Sequence, residues 1–313
     1  MRRLINAIVR MTRLPADFDP RGRPLAFGRS LIAVAELSAI VFTPNDLLFM
    51  DATMSRNGAR CSGIHAAGLW CITGISNDAL TIGRLLAIGT LCLVASGFRP
   101  QWTCIPHWYV TFSFTSSIVP YDGGDRVAQV VTMLLVLICL GDTRRWHWTP
   151  PVRPLTPRWQ GISFAVLATL RVQIVAIYLI AIISKLRDQA WQDGSALRIL
   201  AANPSFGPHP LIGKAMQTAL SWPWFSPMLT WSVITLQGAI VILICSGRRA
   251  RSIALALGVI FHIGIVVILR LPSFGLVMIG LLLIVCVSQK VGAISPRTMR
   301  RGLAEKKKTT TSP

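Results

Sequence analysis

Eight apolar runs, separated by short basic segments, leave this chain few ways to fold. They cover residues 26–43, 80–98, 105–119, 127–140, 161–184, 227–246, 252–269 and 274–288. A straight membrane-spanning helix needs about 20 apolar residues, and in hydrocarbon a segment must satisfy its own backbone polar groups. The runs therefore predict an all-α, polytopic transmembrane helix bundle of about eight spans. Only 14% of the 313 residues are charged, whereas a soluble domain is about one quarter charged. The expected organisation is a basic arm over 1–25, a transmembrane domain over 26–290 and a basic, disordered tail over 291–313.

The net charge of +20 does not point to nucleic acid. Its Lys and Arg residues sit in short clusters between apolar runs, which is a topology signal, and the expected partners of these clusters are membrane lipids. With eight spans and both termini cytoplasmic, 22 of the 32 Lys and Arg residues, Arg29 among them, lie inside. Removing the third run, the one interrupted by Ser113, Thr115, Ser116 and Ser117, would turn the arginine-rich loops to both sides. The same threading puts Cys61 and Cys71 alone in an external loop. There the compartment is oxidising, and the pair is expected to form a disulfide. No Cys-His grouping has zinc spacing, so no metal site is expected. The loop 141–160, with four prolines, four arginines and three tryptophans, is expected to clamp the inner interface.

Ionisable residues at membrane depth are costly and turn inward. Glu36, Arg171 and His262 each fall about ten residues into a run of the same direction, which sets them at a similar depth. They predict a buried polar layer with a Glu36–Arg171 ion pair, and with Gln173 and Gln237 close to the same level. Its role is structural or functional. Arg171, Tyr178 and Lys185 recur every seven residues and share a helix face. Lys185 ends that face where the longest run meets water, followed by Trp191, Asp193 and Gly194. Two readings are open for Lys185: a snorkelling anchor, or a partly desolvated amine able to act as a base. Asp122 and Asp125 flank two glycines before the fourth run. They suit helix capping or a paired-carboxylate acid–base site. His107-Trp108-Tyr109 is read as part of an interfacial aromatic belt.

The segment Ser184-Lys-Leu-Arg-Asp-Gln-Ala-Trp-Gln-Asp-Gly194 resembles the Lys-Leu…Trp…Gly signature of the HTTM membrane domain. That domain is shared by vitamin K-dependent gamma-carboxylase and the bacterial SdpB-like proteins of sporulation-delaying toxin systems. Gly28-Arg-Ser-Leu31, the Cys61/Cys71 pair, Asp122–Asp125 and Gly141-Asp-Thr-Arg-Arg-Trp-His-Trp148 are similar to the SdpB-like side. By resemblance, Lys185 takes the place of the base that deprotonates vitamin K hydroquinone in the carboxylase, so a lipid quinone is the implied cofactor. Asp122–Asp125 stand where the carboxylase has a histidine motif, and the carboxylase's large lumenal domain is not matched here; both departures count against carrying over vitamin K epoxidation and glutamate carboxylation. The SdpB-like side implies a bacterial inner-membrane protein that matures or exports a secreted peptide toxin together with a second maturation protein. Its external working face would comprise Lys185 and the Asp122–Asp125 turn as catalytic groups, with Tyr178, Trp191 and Asp193 binding substrate. The alternatives are a quinone-using enzyme and a non-enzymatic transporter or immunity protein. Topology is directly testable: reporter fusions at Gly63 and Asn203 should read external, and those at Pro151 and Ala250 cytoplasmic. A cytoplasmic signal at Asn203 would refute the eight-span threading.

Overall fold

The structure is a computed structural model that describes residues 18–49, 61–74, 76–117, 123–203, 207–208 and 210–287. The basic arm up to residue 17, the tail from 288 and Asp122 lie outside the described residues. The architecture is all-α. Its long helices are α1 (Arg23–Phe42), α4 (Asn77–Ser96), α5 (Pro100–Ser117), α6 (Gly123–Cys139), α7 (Pro157–Arg187), α11 (Phe225–Ile244), α12 (Arg248–Leu269) and α13 (Pro272–Cys286). Short elements connect them: α2 (Asn45–Leu48), a 3₁₀ turn (Gly63–Ala67) and α3 (Leu69–Thr73) in the first loop, and α8 (Gln189–Gln192), α9 (Ala196–Ala202) and α10 (Pro210–Leu220) after α7. Proline in the first turn starts α1, α7 and α13, where its missing N–H costs nothing. Ser76 caps α4 by accepting from the Ala79 N–H, and Gly97 ends it in the left-handed conformation.

Each of the eight apolar runs therefore becomes a helix. Five of them (α1, α4, α7, α11 and α12) are long and apolar enough to cross a membrane, and α13 is a shorter apolar helix. The Ser/Thr-rich α5 and the 17-residue α6 fall short of that measure. At 31 residues α7 is the longest. It spans about 46 Å against a hydrocarbon core of about 30 Å, so it is longer than a straight crossing requires.

The organising element is α13, which packs against α1, α6, α7 and α12. It is apolar on nearly every face, as a largely buried helix requires: Leu281, Leu282, Ile284 and Val285 have no exposed surface, while Leu276, Ile279 and Leu283 are partly exposed. Its tightest approach is to α1. A β-carbon added at Gly28 would stand 2.6 Å from the Gly280 carbonyl oxygen, and one at Gly280 would stand 2.8 Å from the Gly28 carbonyl oxygen. Only paired glycines permit that approach. A second core, around Trp70, Phe49, Leu91 and Phe114, joins α1, α4 and α5 beneath the first loop. Cys61 and Cys71 are disulfide-bonded there, with their Cα atoms 5.6 Å apart.

The expected clamp forms at the turn between α4 and α5. His147 N–H donates to the Gly97 carbonyl, Trp148 Nε1 to the Ser96 carbonyl and Arg99 N–H to the Arg145 carbonyl. Asp142 and Arg144 pair at 2.6 Å, and Arg21 pairs with Asp19 while donating to the Arg153 carbonyl. Burial, with the Arg29 and Arg144 charges, pushes the His147 imidazole down to about 3.

Two outcomes follow. Gly28→Ala and Gly280→Ala each force backbone separation at the α1–α13 crossing and should destabilise the bundle by about 1–3 kcal/mol, read as a lower aggregation temperature in detergent. The His147 ring binds its proton near pH 6.5 when unfolded but near 3 when folded. The unfolded state therefore takes up the proton first, and stability should fall as pH drops through that window. Thermal unfolding of His147→Gln should decline less steeply with acidification than that of the wild type.

Candidate functional site

The candidate site is a cavity of about 570 Å³ enclosed by the last turns of α7, by α8 and α9, and by α11, α12 and α13. Most of its wall is aliphatic or aromatic, including Ile177, Leu229, Val233, Leu236, Ile260, Phe261 and Phe274. On α11 these arise from Leu229, Val233 and Leu236, spaced four and three residues apart on one helix face. The polar groups are few: Lys185 and Trp191 where α7 ends, then Ser232, Tyr178, His262 and Gln237.

The signature residues build the Lys185 end. Lys185 occupies the last turn of α7, half-buried, with Nζ 5.1 Å from the centre of the Trp191 ring, a cation–π contact. The chain turns there because the Asp188 carboxylate caps α8, accepting from the Ala190 and Trp191 N–H groups. Gly194 then takes φ +79°, and a β-carbon at that position would stand 2.5 Å from the Pro227 Cα. Its carbonyl accepts hydrogen bonds from Ser226 Oγ at 2.8 Å and Thr230 Oγ1 at 3.0 Å. The signature glycine thus pins the lysine–tryptophan turn to the start of α11. Two helical turns back along α7, the fully buried Tyr178 hydroxyl is hydrogen-bonded to His262 Nε2 at 2.9 Å. His262 Nδ1 and Gln237 Oε1 are buried and have no hydrogen-bond partner among the described residues. The cavity therefore combines apolar volume, unused polar atoms deep inside and an amine near its end.

Other expected site residues lie elsewhere. Asp193 stands outside the cavity, exposed, and its carboxylate accepts from the Ser195 N–H at 2.9 Å. The hydrogen bonds from Ser195 hold this carboxyl below the usual range. Asp125 is buried in the first turn of α6 and does not line the cavity. Thr115 Oγ1 donates to its backbone carbonyl. Asp125 thus does not join Lys185 in one catalytic group.

The single midplane layer is corrected. Glu36 does not pair with Arg171: Glu36 accepts from Thr111 Oγ1 at 3.0 Å and lies 3.8 Å from His107 Nε2. Arg171 Nε donates to the Val285 carbonyl at 3.2 Å. The reason is α13, which packs between α1 and α7 and keeps their polar faces apart. Arg171 also leaves the Tyr178–Lys185 stripe, since the cavity holds only the last two of that face.

Two residues were misplaced by sequence reasoning. His107, read as an interfacial aromatic, is 1% exposed beside Glu36, and Arg29, counted as an inner loop charge, is 1% exposed within α1. The signal for His107 was present in the repeat Thr103, His107, Thr111, Thr115, a four-residue spacing that makes one polar face on α5.

Residues 130–289, which include Tyr178, Lys185, Trp191, Gly194, Gln237 and His262, match the HTTM domain. The chain is 31% identical to the sporulation-delaying protein SdpB of Bacillus subtilis over 270 residues, covering 85% of this chain and 82% of that protein. It is also 29% identical over 267 residues to the uncharacterized protein YitO of the same organism, covering 85% of each. No solved structure matches the chain significantly. This chain belongs to the HTTM family, as an SdpB-like multi-pass membrane protein.

Proposed function

We propose that this protein acts in the maturation or export of a secreted peptide toxin at the outer face of the bacterial inner membrane, with Lys185 as a proton acceptor. A second maturation protein works beside it, and both termini are cytoplasmic. The observation that carries this reading is the turn joining Lys185, Trp191 and Gly194 at the end of a large apolar cavity, in a chain alignable with SdpB over most of its length. An apolar stretch of peptide suits the aliphatic wall, and the amine stands where a polar backbone or side-chain group would remain. Tyr178 and His262 hold a proton between them at the buried end.

A second reading is favoured by the cavity's chemistry. It has the volume and apolar lining that a lipid quinone ring requires, and Gln237 Oε1 and His262 Nδ1 are unpaired polar atoms at the depth of a ring substituent. The residues fit such a group. When bound, a quinone would supply redox chemistry. The chain itself would position the ring between α11 and α12, fix its polar substituents through Tyr178, His262 and Gln237, and hold a proton at Lys185 Nζ.

The decisive comparison is Lys185→Arg against Lys185→Ala. Arginine keeps the charge, the stem and the contact with Trp191, but cannot release its proton near neutral pH. If Lys185 is a base, both variants should lower mature peptide in the medium by about 100-fold or more, measured by mass spectrometry at equal membrane abundance of the protein. Full activity with arginine would make Lys185 an anchor. Quinone recovered by extraction of purified protein, and lost in His262→Leu, would favour the second reading over the first.

A further inference from the structure

The cavity leaves unused a second buried polar group, on the far side of α13. On α1, Arg29 and Glu36 are separated by seven residues and face α5. There Thr103, His107, Thr111 and Thr115 recur every fourth residue, and all six side chains are at least nine-tenths buried. Arg29 Nη2 donates to Thr103 Oγ1 at 2.7 Å, and Thr111 Oγ1 donates to Glu36 Oε2 at 3.0 Å. These two contacts fix α1 and α5 as parallel neighbours, with His107 midway between the arginine and the carboxylate.

The hydrogen-bond accounting of this seam does not close. Glu36 Oε1, His107 Nε2, and Arg29 Nε and Nη1 are all buried without a partner among the described residues. Glu36 Oε2 and His107 Nε2 stand 3.8 Å apart, too far for a direct hydrogen bond and close enough for one after a small approach or through one water. A pair serving only to fix helix packing would be satisfied, because buried polar atoms left open are costly. The charged groups around the pair are Asp125 from α6, which acts on Glu36, and Arg29 from α1, which acts on His107. From the other packed helices, Arg84 of α4 is bound to Asn45 and the Val41 carbonyl, and α13 carries no acidic or basic residue.

We propose that Glu36 and His107 form a proton-binding site in the α1–α5–α6 seam, holding one exchangeable proton between Glu36 Oε2 and His107 Nε2. Transfer within the pair breaks the Oε2–H bond as the Nε2–H bond forms, with no change in net charge or oxidation state. Loss of the proton leaves the Glu36 carboxylate, which keeps the hydrogen bond from Thr111 Oγ1. The hydroxyls of Thr103, Thr111 and Thr115 line the route between Arg29 and Asp125. The site is separate from the Lys185 cavity and independent of the function proposed for it.

The test is infrared difference spectroscopy of the full chain in lipid nanodiscs, titrated between about pH 4 and about pH 10, a range bracketing ordinary carboxylate and imidazole values. The expected result is a buried carboxylic-acid band that shifts in heavy water and vanishes as pH rises. It should be absent from Glu36→Gln and retained in Asp125→Asn, and its midpoint should move by about one pH unit or more in His107→Gln. Wild-type protein with no such titrating band, or a band that persists in Glu36→Gln, would overturn the proposal. If Glu36→Gln does not fold, Thr111→Val keeps the shape and removes the donor. A band unchanged in frequency and midpoint in that variant would overturn the proposal equally.

Discussion

The glycine-to-glycine contact between α1 and α13 sets the distances on which the rest of this bundle depends. With Gly28 and Gly280 in backbone contact, the last described helix of the domain lies in the groove of the first. Hydrocarbon offers no hydrophobic drive for helix association, so close packing of this kind must supply it. The crossing draws α13 inward until most of it is buried, and α1, α6, α7 and α12 pack against it. The depth of α13 then decides which polar side chains can meet.

That position divides the buried polar residues into two groups with different chemistry. On the α7 side, Tyr178 and His262 are bonded within a large apolar cavity. On the α1 side, Glu36, His107 and Arg29 crowd a narrow seam of threonines with several atoms unpaired. A membrane protein retains costly groups like these only where they have partners or work to do. The cavity has volume and little charge, which suits a lipid-soluble or peptide ligand. The seam has charge and little volume, which suits a proton.

The Lys–Trp–Gly signature has a mechanical explanation. Lysine ends α7, Asp188 reverses the chain, tryptophan lies against the ammonium group, and the glycine allows a positive φ at a point where α11 leaves no room for a side chain. The hydroxyls of Ser226 and Thr230 hold that glycine's carbonyl. The turn therefore fixes Lys185 relative to α11, and through α11 relative to Gln237 and His262. A spacing that in sequence looks like three separate residues is one rigid corner.

Much was legible before any coordinates. Apolar period and length specified the helices, because hydrocarbon allows the backbone no other solution, and the first-loop cysteines form the disulfide that residue chemistry predicts. Placing Glu36 with Arg171 failed because depth along a helix says nothing about rotation or about which helix lies between. Two residues can share a level and be separated by α13. His107 and Arg29 were misread for the same reason: a polar residue near a helix end is exposed or enclosed according to its neighbours. Sequence by itself determined the helices, their membrane setting and the amine at the end of α7, since these depend on local pattern and solvent. Only the tertiary structure decided which polar groups meet, because that depends on the order in which helices pack, and here two glycines far apart in the chain set that order.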